Sequence, residues 1–342
     1  MDITKRDSKM LKGIAILAML MLHLFCRRDN LPYTPLLWIG DTPLIYYFGL
    51  FRDICVAIYC FVSGYAHYMQ STETELRHRW KRLLRFLIPF WVIAAVFSVI
   101  GIFTGNPAIP ASAKEFLLNC LTIKNSYNGA WWYANTYILL VALQPLSRKF
   151  VERCPAWAVL LASFAFYTVG YGIRFWGWGS CCSAVLAWII THIGLLGTSY
   201  FPYVIGMLFC KKQVVAALRQ RLAAVKARNI YIYIFTAITF AGMIVVHGVI
   251  QPLFVAFITA TVTIILLCIC PLPVWLTNLL CYFGEHSTNI WLVHMFFYGS
   301  LFHGIVFFLK YPIPVFLLLI ALSLASSYVI RWLSRPILKL VR

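Results

Sequence analysis

Charge is scarce in this chain, and negative charge is scarcer still: of 342 residues only 11% are Asp, Glu, Lys or Arg, and just 10 are acidic. An average soluble domain carries about 25% charged residues, so an ordinary soluble fold is excluded. Polar stretches are short as well. The longest, near 71–85, 105–129 and 211–228, have too few residues to bury a core of their own. The 11 cysteines include the neighbours Cys181 and Cys182 but no Cys-x-x-Cys pair, which leaves neither a zinc site nor a disulfide framework to expect. No His-Glu-x-x-His, Walker loop, Gly-x-Gly-x-x-Gly or Gly-x-Ser-x-Gly occurs, so metal-centred, nucleotide-hydrolysing, dinucleotide-dependent and serine-esterase chemistry all lack a motif. An internal repeat is missing too, which counts against a transporter built from inverted halves. The first apolar run has a charged start but no small-residue cleavage site, and it reads as a signal anchor.

What remains is apolar surface, 62% of residues, and a formal charge of +19. The pattern predicts an all-α fold, a polytopic transmembrane helical bundle of about ten spans forming a single membrane domain over 1–342. The spans fall near 11–26, 51–70, 86–104, 130–147, 156–173, 184–210, 229–249, 252–270, 285–306 and 312–333. Residues 31–50, broken by Pro32, Pro35, Gly40 and Pro43, read as an interfacial or re-entrant outer loop. With both termini cytoplasmic, the inner segments hold 22 of the 29 basic residues, as the positive-inside rule requires. The excess charge therefore sets topology, and nucleic acid is not an expected partner. The segment 211–228 reads as a basic surface helix lying on anionic lipid.

Within so apolar a chain the ionisable residues of the spans are the functional candidates. Lys12 and His23 bracket the first apolar run, and eleven helical steps return to within roughly 20° of one face while rising about 16 Å. Arg79, Arg82 and Arg85 recur at helical spacing before the third span, where guanidinium forks facing one way can grip phosphate. Phe61-Val-Ser63-Gly64-Tyr65 ends the second span, and Ser63 with Gly64 permits close backbone approach. A late span groups Glu285, Ser287, Asn289 and His294, a clustering that lines bundle interiors. A competing reading is a transporter or flippase for a glycan, lipid or small anion, with Lys12, His23, Arg52 and Asp53 as an intramembrane relay.

In this order the elements resemble the integral-membrane acyltransferase family 3. The family's Arg or Lys, ten residues and His maps onto Lys12 and His23, in a Lys-Gly-Ile-Ala-Ile form similar to the branch acting on exopolysaccharides. Its Phe-Phe-x-x-Ser-Gly-Tyr is similar to Cys60-Phe-Val-Ser63-Gly64-Tyr65. Its Arg-Arg-x-x-Arg-x-x-x-Pro is similar to Lys81-Arg82-Leu-Leu-Arg85-Phe-Leu-Ile-Pro89, and its Trp-Tyr helix start to Trp132-Tyr133. Its Gly-x-x-Ser-x-x-Ile-Tyr-Leu-x-His resembles Gly284-Glu-His-Ser287-Thr-Asn-Ile290-Trp291-Leu-Val-His294, with Trp in place of Tyr.

The resemblance implies a membrane O-acyltransferase that takes an acetyl group from cytoplasmic acetyl-CoA and passes it to a hydroxyl of a cell-surface or lipid-linked glycan. It makes His23 the base or acyl carrier. The donor's phosphates fall to Arg79, Arg82, Arg85 and Lys12, and the lining of the pocket to Ser63, Trp132, Tyr133, Glu285 and His294. No metal is expected. The partners expected are the acyl-CoA donor, the glycan or lipid-linked sugar acceptor and membrane lipid, in the plasma membrane of a bacterium.

Overall fold

Inside a bilayer the backbone must satisfy its own polar groups, and this chain does so with helices. The computed structural model describes residues 2–51, 53–70, 76–177, 183–223, 228–250 and 252–341. Its helices are α1 (Lys5–Phe25), α2 (Leu44–Phe51), α3 (Ile54–Met69), α4 (Leu76–Phe103), α5 (Ala113–Cys120), α6 (Trp132–Arg153), α7 (Ala156–Phe175), α8 (Ala184–Lys212), α9 (Val214–Ala223), α10 (Arg228–Val249), α11 (Pro252–Ile269), α12 (Val274–Met295), α13 (His303–Phe307) and α14 (Pro312–Leu340). The expected all-α membrane fold is present. Cys181, Cys182, Arg52 and residues 224–227 of the basic segment lie outside the described residues.

Among the described residues seven helical stretches are long and apolar enough to cross a membrane: Lys5–Phe25, Leu44–Met69, His78–Phe103, Ala156–Phe175, Ala184–Lys212, Asn229–Val249 and Pro312–Leu340. The other three expected spans fall on α6, α11 and α12. Polar residues dilute α6 and α12, among them Gln144 and Arg148 in the first and Asn278, Glu285 and Asn289 in the second. The apolar part of α11, Phe254–Ile269, is shorter than a full span.

Two boundaries differ from the sequence expectation. The segment 31–50 is not all loop. It holds a hairpin of β1 (Trp38–Ile39) and β2 (Thr42–Pro43), paired Trp38 to Pro43 and Ile39 to Thr42. Gly40 turns it at φ +56°, the left-handed conformation that two-residue hairpin turns demand. Leu36, Leu37, Trp38 and Ile39 stay exposed at its tip, as an interfacial segment would, and α2 already begins at Leu44. The last polar helix starts at Val274 rather than 285, and beyond Met295 it continues as a π turn over Phe296–Ser300.

The chain divides into two compact units, Met1–Leu22 with Tyr47–Ser71 and Leu143–Glu285, and His23–Tyr46 with Thr72–Ala142 and His286–Arg342. In the first unit α3 and α8 meet backbone to backbone. A Cβ on Gly64 would lie 1.8 Å from the Tyr203 carbonyl oxygen, and one on Gly206 would lie 2.1 Å from that of Phe61. His67 bonds the Tyr203 hydroxyl at 2.8 Å beside this seam, and His247 bonds Thr259 at 2.8 Å, so both are structural histidines. The basic helix α9 is not merely laid on lipid. Its Val215 is buried, and Arg219 donates to the carbonyls of Asp2 and Cys268 and pairs with Asp7 at 3.2 Å.

In the second unit the segment between α4 and α6 is ordered by polar side chains. Buried Asn119 donates to the Glu115 carbonyl and to Ser126 Oγ, and its Oδ1 accepts from the Tyr127 backbone N–H. The hydrogen bond from Lys124, the largest cause, holds the half-buried Glu115 carboxyl below the usual glutamate value. A carboxyl depressed on folding stabilises fully above its unfolded value of about 4.3 and ceases to do so as pH falls through the folded one. Hydrogen exchange of residues 113–127, corrected for intrinsic rate, is therefore expected to speed up as pH drops below about 4. In Glu115→Gln that acid-induced step should disappear.

Candidate functional site

The second unit gathers aromatic and imidazole side chains where α1 ends and α12 passes into the π turn. Such turns open the helix ladder and recur at functional sites. His23 lies two residues before the end of α1, with its ring centroid 5.0 Å from His294 and 6.1 Å from Tyr298. His294 is fully buried. Its Nδ1 lies 2.7 Å from the Trp291 carbonyl oxygen, which can only accept, so Nδ1 carries the proton and donates. The other ring nitrogen, Nε2, is then a bare lone pair, and it is buried without a hydrogen-bond partner among the described residues. Tyr298 stacks near-parallel to both rings, 5.9 Å from His294.

The end of α12 is held by the start of α6. Asn128 Nδ2 and Trp131 Nε1 both donate to the Leu292 carbonyl, at 2.8 and 3.0 Å, and Trp291 Nε1 donates to that of Ala130 at 3.2 Å. Tyr133 meets Trp291 edge-on at 5.6 Å, while Trp132 packs against Tyr133. Reasoning from the sequence picked Trp132 and Tyr133 and missed Asn128 and Trp131. The available signal was the Asn-Gly pair ahead of two tryptophans, a turn feeding a buried indole that must find an acceptor.

The basic stretch Arg79 to Arg85 is the first part of α4, continuous with the apolar helix that follows. Arg79 and Arg82 are half-buried, whereas Arg85 is exposed. Arg79 Nε and Arg82 Nη1 are buried with no acceptor among the described residues, an arrangement that is costly unless an anion completes it. One turn beyond Arg82, Phe86 stacks on Trp291 at 6.0 Å and 10°, three residues ahead of His294. The same helix thus carries the open guanidinium donors and braces the histidine pair.

Lys12, Ser63 and Glu285 belong to the first unit. Helix α1 runs unbroken from Lys12 to His23, as their spacing requires. Lys12 lies within reach of the charges of Lys9 and Glu285, and Glu285 forms an ion pair with Lys9. That pair borders a cleft of about 400 Å³ with Lys5, Arg6, Asn278 and Tyr282. Gly13 and Gly284 let α1 and α12 touch: a Cβ on either would lie 1.9 Å from a carbonyl oxygen, that of Leu280 or of Lys9. Ser63 is half-buried beside Gly64. Asp53 precedes α3, under the charge of Arg174. Among the described residues no three His, Cys, Asp or Glu side chains gather as a metal site.

Chemically, the second unit offers a nitrogen base with its tautomer set, a second imidazole against it and open guanidinium donors on the helix that braces them. No curated protein and no solved structure matches the chain. The family model of an acyltransferase domain matches residues 7–332, which hold most of both units, the histidine pair and the arginines of α4. A helical membrane protein with this site is accordingly a membrane acyltransferase, and the chain belongs to acyltransferase family 3.

Proposed function

We propose that this acyltransferase moves an acetyl group from acetyl-CoA to a hydroxyl of a cell-surface or lipid-linked glycan, with His23 as the base. The observation that carries the reading is the His23 and His294 pair, in which one imidazole holds an open lone pair and the other lies against it. An acyl transfer needs a group that takes the acceptor proton, an anchored thioester and a donor to the tetrahedral oxyanion. His23 takes the hydroxyl proton as the glycan oxygen attacks the thioester carbonyl. The oxyanion then collapses, the carbon–sulfur bond breaks, and the imidazolium returns its proton to the departing CoA sulfur. His294, oriented by Trp291, supports the charged ring through its free Nε2, and the Tyr298 phenol supplies a hydrogen-bond donor beside the pair.

The donor's phosphates fall to the open N–H groups of Arg79 and Arg82, with Arg85 as a further cation. Trp132 and Tyr133, in the same unit, line the acceptor's path. In steady-state kinetics with acetyl-CoA varied, Arg82→Gln is expected to raise KM about tenfold, the loss of one charge-assisted hydrogen bond, with little change in kcat. Arg79→Gln should behave alike. An unchanged KM in both folded variants removes α4 from donor binding.

A further inference from the structure

The second unit contains another cluster, which has no role in the proton transfers described above. A cleft of about 500 Å³ is lined by Arg331, Ser334, Arg335 and Lys339 of α14, Asn289 of α12 and Pro89 of α4. Its volume is that of a small-molecule site. Arg331, Arg335 and Lys339 follow one another at four-residue steps, so they share one helix face, where like charges repel. Among the described residues no carboxylate lines the cleft to offset them.

Two details make this a built site and not simply a cationic helix end. Ser334 is 1% exposed, and its hydroxyl has no hydrogen-bond partner among the described residues, whereas that of Ser163 bonds back to the Val159 carbonyl. Arg331 is also aimed. Its Nη1 donates to His286 Nε2 at 3.2 Å, which leaves His286 Nδ1 to donate to Ser327 Oγ at 2.9 Å. That oxygen accepts from Asn289 as well, at 3.1 Å. The chain of bonds fixes the buried Asn289 and the exposed Arg331 in place, and Arg335 and Lys339 are exposed beside them.

We propose that this cleft binds a phosphate ester, whose oxygens would accept from the Arg331, Arg335 and Lys339 cations and from the buried Ser334 hydroxyl. Two sources carry that chemistry at the end of a membrane-spanning helix: the nucleotide end of an acyl-CoA, an assignment that rests on the donor proposed above, and the headgroup of an anionic phospholipid, which does not.

Binding to the purified full-length protein in neutral detergent separates the sources without any transfer reaction. The probes are adenosine 3′,5′-bisphosphate, dioctanoyl phosphatidylglycerol and, as control, dioctanoyl phosphatidylcholine. At least one phosphate probe is expected to bind in preference to the zwitterionic control, and the double variant R335Q/K339Q to weaken it by about tenfold or more. Ser334→Ala, which changes no charge, is expected to weaken the same probe several-fold. Loss of the nucleotide assigns the cleft to the acyl donor, and loss of the lipid assigns it to a headgroup even if the acetyl-CoA reading fails. The proposal is overturned if wild type binds neither probe, or if neither affinity moves in variants that elute and melt like wild type.

Discussion

Replacing His23 by alanine is expected to lower kcat for acyl transfer about 10²–10⁴-fold, the range supplied by a positioned general base. KM for acetyl-CoA should change little, because the anchors proposed for the phosphates lie on α4 and not at the imidazole. The structure makes His294→Ala the companion experiment. His294 is fully buried, with Nδ1 committed to Trp291 and Nε2 open beside His23, so its removal deprives the base of its neighbour without touching the cationic helix. A large fall in kcat is expected there too, with combined losses smaller than the product of the two, since groups that act as a unit are not additive. Two independent, multiplying losses would separate the histidines chemically.

The second large effect is structural. Gly284→Ala places a Cβ where the Lys9 carbonyl oxygen is 1.9 Å away, and backbone cannot rotate aside as a side chain can. Helices α1 and α12 must separate, and with them the Lys9 and Glu285 ion pair. A destabilisation of about 3 kcal/mol, at the upper end of ordinary overpacking, is expected in the melting of the detergent-solubilised protein. Gly13→Ala, against Leu280 from the opposite side of the same crossing, should match it. A Gly284→Ala protein that melts like wild type would contradict the close approach itself.

Much of this was legible in the sequence because membranes restrict the choices. An apolar run must be a helix, and α8, predicted over 184–210, spans Ala184–Lys212. The functional candidates were legible because ionisable side chains are costly in such runs, which singled out Lys12, His23 and His294. Gly64 was read as a point of close approach, and it meets Tyr203. Gly13, inside the Lys-Gly-Ile motif, was passed over, since nothing local tells a glycine under a crossing helix from any other.

What stayed hidden depends on partners distant in sequence. The start of α12 was misplaced because the polar run Glu285 to Asn289 falls in the middle of the helix and separates its apolar first half from the rest, and the π turn after Met295 has no composition of its own. That Arg79 and Arg82 keep open donors while Arg85 faces outward is a matter of packing around α4, which spacing alone cannot resolve. The roles of Asn128 and Trp131 rest on bonds to Leu292, more than 160 residues later.

Transfer of an acyl group from a thioester to a glycan hydroxyl releases one CoA for each glycan hydroxyl acylated. Purified protein in lipid is given acetyl-CoA labelled in the acetyl group, together with a cell-envelope fraction rich in lipid-linked sugars. Free CoA and label in the glycan are then followed together. The account predicts that both rise in equal amounts with wild type and that neither rises with His23→Ala of unchanged melting temperature. If folded wild type neither binds nor consumes acetyl-CoA across a range of acceptors, or if His23→Ala transfers label at the wild-type rate, the account is contradicted.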